Sequence, residues 1–439
     1  MRILFLSQYF PPETGAAQNR LSDLAVRLTT AGHEVVVLTA VPSYPKSQIF
    51  DGYRGRFVLT EVLESIKIIR TWAIVTKNKK FFSRLANYIS FAILSLIIGA
   101  FKVGGTDVLF VESPPLFLAI TGFLLSKVKR AKFVLNISDL WPDSAVALGM
   151  LRNPWLIRGA FWLEEGLYRR ASLVTGQTRG IIDSIRNRCP DTVSLLLTNG
   201  VSPEFLASMD ASRTARRRTR EEYGFGSRLI VAYTGVHGFA QGLDTIIYAA
   251  EILKEHQDIQ FVFFGDGPEK SRLQATAAHK GLRNVEFLET ESASRMPEIL
   301  AAIDISVVPL KRHSLFKGAL PSKLFEAMGA SVPVIVGIDG EARLLVELSG
   351  CGLSIEPEDS NELARAILAL YRDPALRESL GKRGRAYVCS FHDRQKIADT
   401  LEHSLSVLVY GQNVGLAHRP QSNELKPSEV EVVGPNYNK

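Results

Sequence analysis

Cysteine is scarce in this 439-residue chain: Cys189, Cys351 and Cys389 are far apart and odd in number. They suggest neither a disulfide framework nor the close pairs used by metal and redox motifs, and a reducing compartment is the default expectation. Histidine is nearly as sparse, at eight residues, and nothing resembles a metal site, so no metal or cofactor is expected. The loop Pro11-Pro12-Glu13-Thr14-Gly15-Ala16-Ala17 after the first strand pattern is neither the dinucleotide glycine fingerprint nor a P-loop. Dehydrogenase and kinase readings lose their best support there. A signal-peptide cleavage pattern is also missing, since the N-terminus runs straight into Arg2-Ile3-Leu4-Phe5-Leu6, and export is not expected. The one membrane-like run, residues 85–101, has 17 residues without charge. As a helix it would be about 26 Å long, short of the roughly 30 Å hydrocarbon core. A full span is therefore disfavoured. A buried crossover helix and a helix partly inserted among lipid headgroups both remain open.

Hydrophobic residues make up 46% of the chain, ample for a core, and the length suggests two domains. Charge is unevenly placed: residues 1–200 hold 24 Lys+Arg against 14 Asp+Glu, and the remainder holds 28 against 31. Basic clusters at Lys77, Lys79, Lys80 and Arg84, and at Lys127, Lys129, Arg130 and Lys132, abut apolar helical stretches rather than interleaved aromatics. That pattern suits an anionic membrane surface and not nucleic acid.

Strand and helix signals alternate through residues 1–200, as in a parallel sheet covered by helices. Leu21, Leu24, Ala25 and Leu28 fall at i, i+3, i+4 and i+7, and Gly32 ends that helix. Residues 201–226 read as a linker, within which the basic run 213–220 is a solvated helix face. A second alternating set fills 227–390, an amphipathic helix occupies 391–410, and 411–439 has the composition of a disordered tail. Two doubly wound sheets in series form a cleft where their C-terminal strand ends face each other.

Five segments are expected to meet there. Gly15 allows backbone N–H groups to approach a phosphate, though a turn glycine is the bland reading. Asp139 follows a buried strand pattern at the edge where catalytic groups gather, with Asp143 four residues on. Gly235 and His237 lie in a loop after the first strand of the second half, with His237 a possible phosphate contact. Gly265-Asp266-Gly267-Pro268 is a turn that leaves room for a flat base. In Pro321-Ser322-Lys323-Leu324-Phe325-Glu326, Ser322 reads as N-cap, Lys323 adds a cation to the free N–H groups, and Glu326 can accept from ribose hydroxyls. An ordinary helix start explains that last segment equally well.

In their order along the chain, Pro11 to Gly15, Arg27-Leu28-Thr29-Thr30-Ala31-Gly32-His33-Glu34-Val35, Asn199-Gly200-Val201, Gly265 to Pro268, Pro321 to Met328 and Gly350-Cys351-Gly352-Leu353 resemble the retaining glycosyltransferases of family 4. The resemblance covers residues 1 to about 408. Within the family, Ser-Gln-Tyr-Phe-Pro-Pro-Glu and Asp-Leu-Trp-Pro-Asp look most like bacterial N-acetyl-L-fucosamine transferases of O-antigen and capsule assembly. It implies a GT-B fold, with two Rossmann-like doubly wound parallel-sheet domains, acceptor-binding at 1–200 and nucleotide-sugar-binding at 227–390. It further implies metal-independent sugar transfer from a nucleotide-diphosphate donor, uridine being the expected base, to a polyprenyl-linked saccharide at the inner face of the plasma membrane. Gly15, Gly235, His237, Gly265, Gly267, Ser322, Lys323 and Glu326 would bind the donor, and Asp139 and Lys323 would be catalytic.

This chain departs from the family pattern at several positions. The family's paired glutamates are eight apart, and Gly318 stands at the first position. Val236 and Gln241 stand where many members have arginine and lysine, and Ser138 replaces a cleft histidine. A nucleotide-sugar epimerase of the same fold, needing extra acids and a cleft histidine, and a non-catalytic sugar-nucleotide binder or scaffold at the membrane are the alternatives.

Overall fold

A computed structural model describes residues 1–411, apart from 14, 45–46, 77–80, 148–150 and 213–214. The first sheet is built from β1 (Arg2–Leu6), β2 (Glu34–Ala40), β3 (Val58–Leu63), β4 (Ile66–Thr71), β5 (Val108–Ser113), β6 (Lys132–Ile137), β7 (Leu173–Gly176) and β8 (Ser194–Leu196). Their order is β3-β4-β2-β1-β5-β6-β7-β8, and every pairing is parallel except β3 with β4. The second sheet contains β9 (Leu229–Thr234), β10 (Ile259–Phe264), β11 (Val285–Leu288), β12 (Ile305–Pro309), β13 (Val334–Gly337) and β14 (Gly352–Ser354). It runs β11-β10-β9-β12-β13-β14, all parallel. Central strands such as β5 and β9 are buried along their whole length, because helices cover both faces and leave no side for polar alternation.

Each sheet reverses its winding once beside its first strand, between β1 and β5 and between β9 and β12. The loops that follow β1 and β9 therefore open at switch points, where a crevice forms beyond the carboxyl ends of the strands. Gly15 and Gly235 sit in these two loops.

The chain crosses between domains twice, side by side. Val201 pairs with Asp393; its N–H donates to the His392 carbonyl at 2.9 Å, and its own carbonyl accepts from Arg394 N–H at 2.9 Å. A Cβ on Gly200 would collide with the His392 carbonyl, so only glycine lets the two passages lie this close. The last helix, Arg394–Tyr410, returns to the first domain and buries Ala398, Leu401 and Leu405 with Leu21 and Leu24 of the helix Ala16–Thr30.

Several expectations need correction. Residues 201–226 are not a bare linker: the helices Pro203–Ser212 and Arg216–Glu222 pack on the second domain, where Met209 joins its core. The basic run is not wholly solvated, because Arg216 and Arg220 grip Asp304 at 2.6 and 3.1 Å and also bond carbonyls of residues 301–303. The apolar segment forms the helix Phe81–Lys102, the crossover from β4 to β5. It is only partly buried, with 22% of residues 85–102 enclosed. Phe91, Ala92 and Ser95 face inward, while Ile89, Ile93, Ile97 and Phe101 form an open stripe at i, i+4, i+8 and i+12. Lys77, Lys79 and Lys80, the Arg84 side chain and the tail 412–439 lie outside the described residues.

Candidate active site

Pro321 precedes the helix Ser322–Gly329 in an extended conformation, and no side chain caps that helix start. Ser322 is thus the first helical residue and not the expected N-cap, a correction that leaves first-turn N–H groups without a side-chain acceptor. Lys323 extends over the Tyr233 ring, with Nζ 3.8 Å from the ring centroid. A Cβ on Gly235 would lie 2.9 Å from that Nζ, so the ammonium sits directly against the loop at the β9 switch point. Burial pushes the Lys323 pKa down to about 7, against the opposing pull of Glu326. Glu326 is held above the usual carboxylate range, chiefly by burial, with Arg394 and Lys323 acting the other way. Neither side chain has an ion pair or hydrogen bond with another described residue. An ammonium at an uncapped helix start, with Glu326 near it and no ion pair to a described residue, makes an electropositive socket.

The glycine loops are shaped by backbone contact. Gly235 and Gly265 have φ of +130° and +135°, and a Cβ on Gly265 would collide with the Gly235 carbonyl. A Cβ on Gly267 would likewise collide with the His237 carbonyl. Tyr233 fixes the first loop by donating its O–H to the Val236 carbonyl at 2.7 Å. The expected phosphate contact of His237 is corrected: its ring is fully buried among Tyr233, Phe263 and Phe287. Neither ring nitrogen has a hydrogen-bond partner among the described residues. Burial and the nearby Lys270 and Lys323 lower its pKa to about 4, against Asp266, so the ring is neutral at pH 7. Its main chain builds the site instead, donating to the Asp266 carbonyl and accepting from Glu269 N–H.

On the opposite wall, Gly15 precedes the helix Ala16–Thr30, which has no side-chain cap and no acid in its first turn. Glu13 is spent on structure, accepting from the N–H groups of Phe10, Ser43 and Tyr44. Below it runs a buried polar network: Arg20 meets Glu112 at 2.9 Å and the Ser138 hydroxyl at 2.8 Å, and Asn136 joins Glu112 to Thr175. Asp139 lies at the rim, where its carboxylate accepts from the Ser144 hydroxyl at 2.8 Å. Its carboxyl is held up mainly by desolvation, with Ser144 lowering it and Asp143 raising it. Asp143 opens the short helix Asp143–Ala147, which touches the turn Ser314–Gly318 of the second domain. Among the described residues, no group of three His, Cys, Asp or Glu is placed to hold a metal ion.

Lys323, Glu326, Ser322 and Gly235 are thus brought together, with Gly265 and Gly267 shaping the floor and Gly15 and Asp139 on the facing domain. Sequence reasoning missed Tyr233, which reads only as the end of a buried strand. It also missed Glu341, whose oxygens accept from Arg179 N–H at 2.9 Å and Gly180 N–H at 2.5 Å across the domain boundary.

Residues 15–197 match the family model described as glycosyl transferase 4-like domain, and residues 215–387 match that of glycosyl transferases group 1. The putative colanic acid biosynthesis glycosyl transferase WcaI of Escherichia coli K12 is 28% identical over 388 residues, covering 84% of this chain and 91% of its own. Among solved structures, sucrose-phosphate synthase of Thermosynechococcus elongatus superposes with a TM-score of 0.73 at 18% identity, covering 93% of this chain and 98% of its own. The Anabaena protein HepE in complex with UDP-glucose gives 0.68 at 18%, covering 92% and 99%. With both domains matched in order and the two-sheet architecture in place, the chain belongs to the glycosyltransferases that pair a 4-like domain with a group 1 domain in the GT-B fold.

Proposed function

We propose that the protein transfers a sugar from a nucleotide-diphosphate donor, with uridine as base, to a polyprenyl-linked saccharide in surface-polysaccharide assembly. The transfer retains anomeric configuration and uses no metal. The observation that carries this reading is the half-buried Lys323 ammonium over the Tyr233 ring at an uncapped helix start, with Glu326 one turn on and neither in an ion pair or hydrogen bond with another described residue. The bond between the anomeric carbon and the diphosphate oxygen breaks as the acceptor hydroxyl oxygen bonds that carbon on the same face, its proton passes to the departing diphosphate, and negative charge grows on the leaving group in the transition state. Lys323 and the N–H groups of residues 322 and 323 meet that charge, so they favour the transition state over the bound donor. Glu326 accepts from the ribose hydroxyls, and Asp139 contacts the sugar or the acceptor hydroxyl. UDP-glucose in the HepE complex supports the choice of base, and the colanic acid role named for WcaI supports a polysaccharide product. An N-acetyl-L-fucosamine-like sugar fits the narrower resemblance.

A lipid-linked acceptor requires the enzyme to work at a membrane. The helix Phe81–Lys102 with its open stripe packs against the helix Leu116–Lys129, on which Leu124 and Val128 are exposed, and Trp155 and Trp162 are exposed on the helix Pro154–Tyr168. Together with the basic excess of residues 1–200, this supports peripheral attachment to an anionic cytoplasmic surface.

The test is incubation of the purified chain with candidate donors and lipid-linked saccharides, followed by mass spectrometry of the extracted lipid and NMR of the new anomeric centre. A product one sugar heavier with the donor's configuration is expected. Donor binding without nucleotide release would leave a non-catalytic binder, and interconversion of the free sugar nucleotide would make it an epimerase.

A further inference from the structure

One carboxylate bridges the cleft. Glu341 begins the helix Glu341–Ser349, four residues past the end of β13, and reaches across to the start of the helix Arg179–Arg188. Its two oxygens accept from Arg179 N–H and Gly180 N–H. The approach depends on small residues: a Cβ on Gly180 would lie 2.8 Å from Glu341 Oε1, and one on Gly340 would collide with the Lys317 carbonyl. Gly318 closes the same space. A Cβ built there would be 3.8 Å from Glu341 Oε1 and 3.8 Å from Thr178 Oγ1.

Position 318 is where the sequence pattern leads one to look for the first of two carboxylates and finds glycine. A carboxylate nevertheless comes close to this position from a different helix, because Glu341 Oε1 borders Gly318. Glu341 forms no ion pair with a described residue. A carboxylate offers about four lone-pair sites, and the two N–H groups use two. The remaining capacity is beside the turn Ser314–Gly318, which leads within four residues to the Lys323 socket.

We propose that Glu341 is a donor-contacting residue that accepts a hydrogen bond from a hydroxyl of the donor sugar, replacing the carboxylate absent at 318. The first domain positions it, because the N–H groups that aim its oxygens belong to Arg179 and Gly180. Sugar recognition is then complete only with the domains closed. This rests on the sugar-transfer reading and adds to it the group that distinguishes a sugar nucleotide from its bare diphosphate.

The test titrates the full chain with UDP-glucose, UDP-N-acetylglucosamine and GDP-mannose, and with UDP and GDP, for the wild type, Glu341→Ala, Glu341→Gln and Glu341→Ala combined with Gly318→Glu. Loss of a charged hydrogen bond predicts about tenfold weaker sugar-nucleotide binding for Glu341→Ala, with bare-diphosphate Kd changed less than about twofold. Gly318→Glu should recover part of the loss, and Glu341→Gln should fall between. Equal weakening of diphosphate and sugar nucleotide, or no weakening of either, overturns the proposal in favour of a purely structural latch. If the double variant does not fold, the comparison of Glu341→Ala with Glu341→Gln decides by the same criterion. A wild type that binds no diphosphate and no sugar nucleotide removes the sugar-transfer reading itself. A wild type that binds them, with Glu341→Ala unchanged, removes only this inference.

Discussion

Two helices start at the cleft, one from each domain, and neither has a side-chain cap or an acid in its first turn. Around the first, at Gly15, every strong charge is already engaged: Arg20 with Glu112, Glu13 with three backbone N–H groups. Around the second, Lys323 and Glu326 are half-buried and form no ion pair or hydrogen bond with another described residue, the ammonium resting on the Tyr233 ring. The charges named on the first wall are met within the protein, and the second wall is left electrostatically unfinished. A partly desolvated cation without an ion-pair partner costs stability, and such a cost is retained where a ligand supplies the missing charge.

Substitutions on the two walls should separate stability from activity. Arg20→Met leaves Glu112 buried without its counter-ion, and a broken buried pair predicts a loss of about 3–5 kcal/mol in denaturant unfolding. Sugar-nucleotide affinity of the folded fraction should be unchanged. Lys323→Met should do the reverse, lowering turnover by about 10²- to 10³-fold, as for loss of one charge-stabilising donor, without lowering stability. Its stability advantage over the wild type should shrink as pH rises from about 7 toward the ordinary lysine range, because in that window the unfolded wild-type chain holds more protons than the folded one. Near-normal turnover of Lys323→Met, or donor binding abolished in folded Arg20→Met, would erase the distinction between the walls.

Titration should sharpen it further. A donor diphosphate pairs with the charged form of Lys323, whose pKa in the free protein is about 7. Below that value binding needs no proton. Above it each bound donor takes one up, and affinity falls by up to about tenfold per pH unit until the raised pKa of the complex is reached. Calorimetry of a sugar nucleotide at pH 6 to 8.5, in buffers of differing ionisation enthalpy, measures the uptake. Lys323→Arg, charged throughout, should lose it, and a wild type with neither uptake nor pH dependence would contradict the assignment.

How much of this could be read from sequence follows the same division. Strands such as β5 and β9 are legible because full burial makes them continuous apolar runs. β3, half-exposed at the sheet edge, and β8 and β14, three residues each, carry too little pattern. The second wall is local: Pro321 to Glu326 spans one turn and a half, and its chemistry can be read in order. The first wall is not local, since Arg20 meets Glu112 across 92 positions and Glu341 meets Arg179 across 162. His237 shows the limit of local reading, because a cleft loop gives its position and the packing of Phe263 and Phe287 decides where its ring points.

The smallest effect tests whether the second wall is held by shape or by charge. Tyr233 contributes a ring beneath the Lys323 ammonium and an O–H to the Val236 carbonyl. Tyr233→Phe keeps the ring and removes the hydroxyl, costing about 1 kcal/mol for one hydrogen bond. If the ring face is what supports the ammonium, the pH profile of donor binding stays where it was and only the Gly235 loop loosens, seen as a modest rise in donor KM with kcat retained. If instead kcat falls as far as in Lys323→Met, the hydroxyl is setting the position of the ammonium through the loop, and the socket depends on the Gly235 backbone as much as on the lysine.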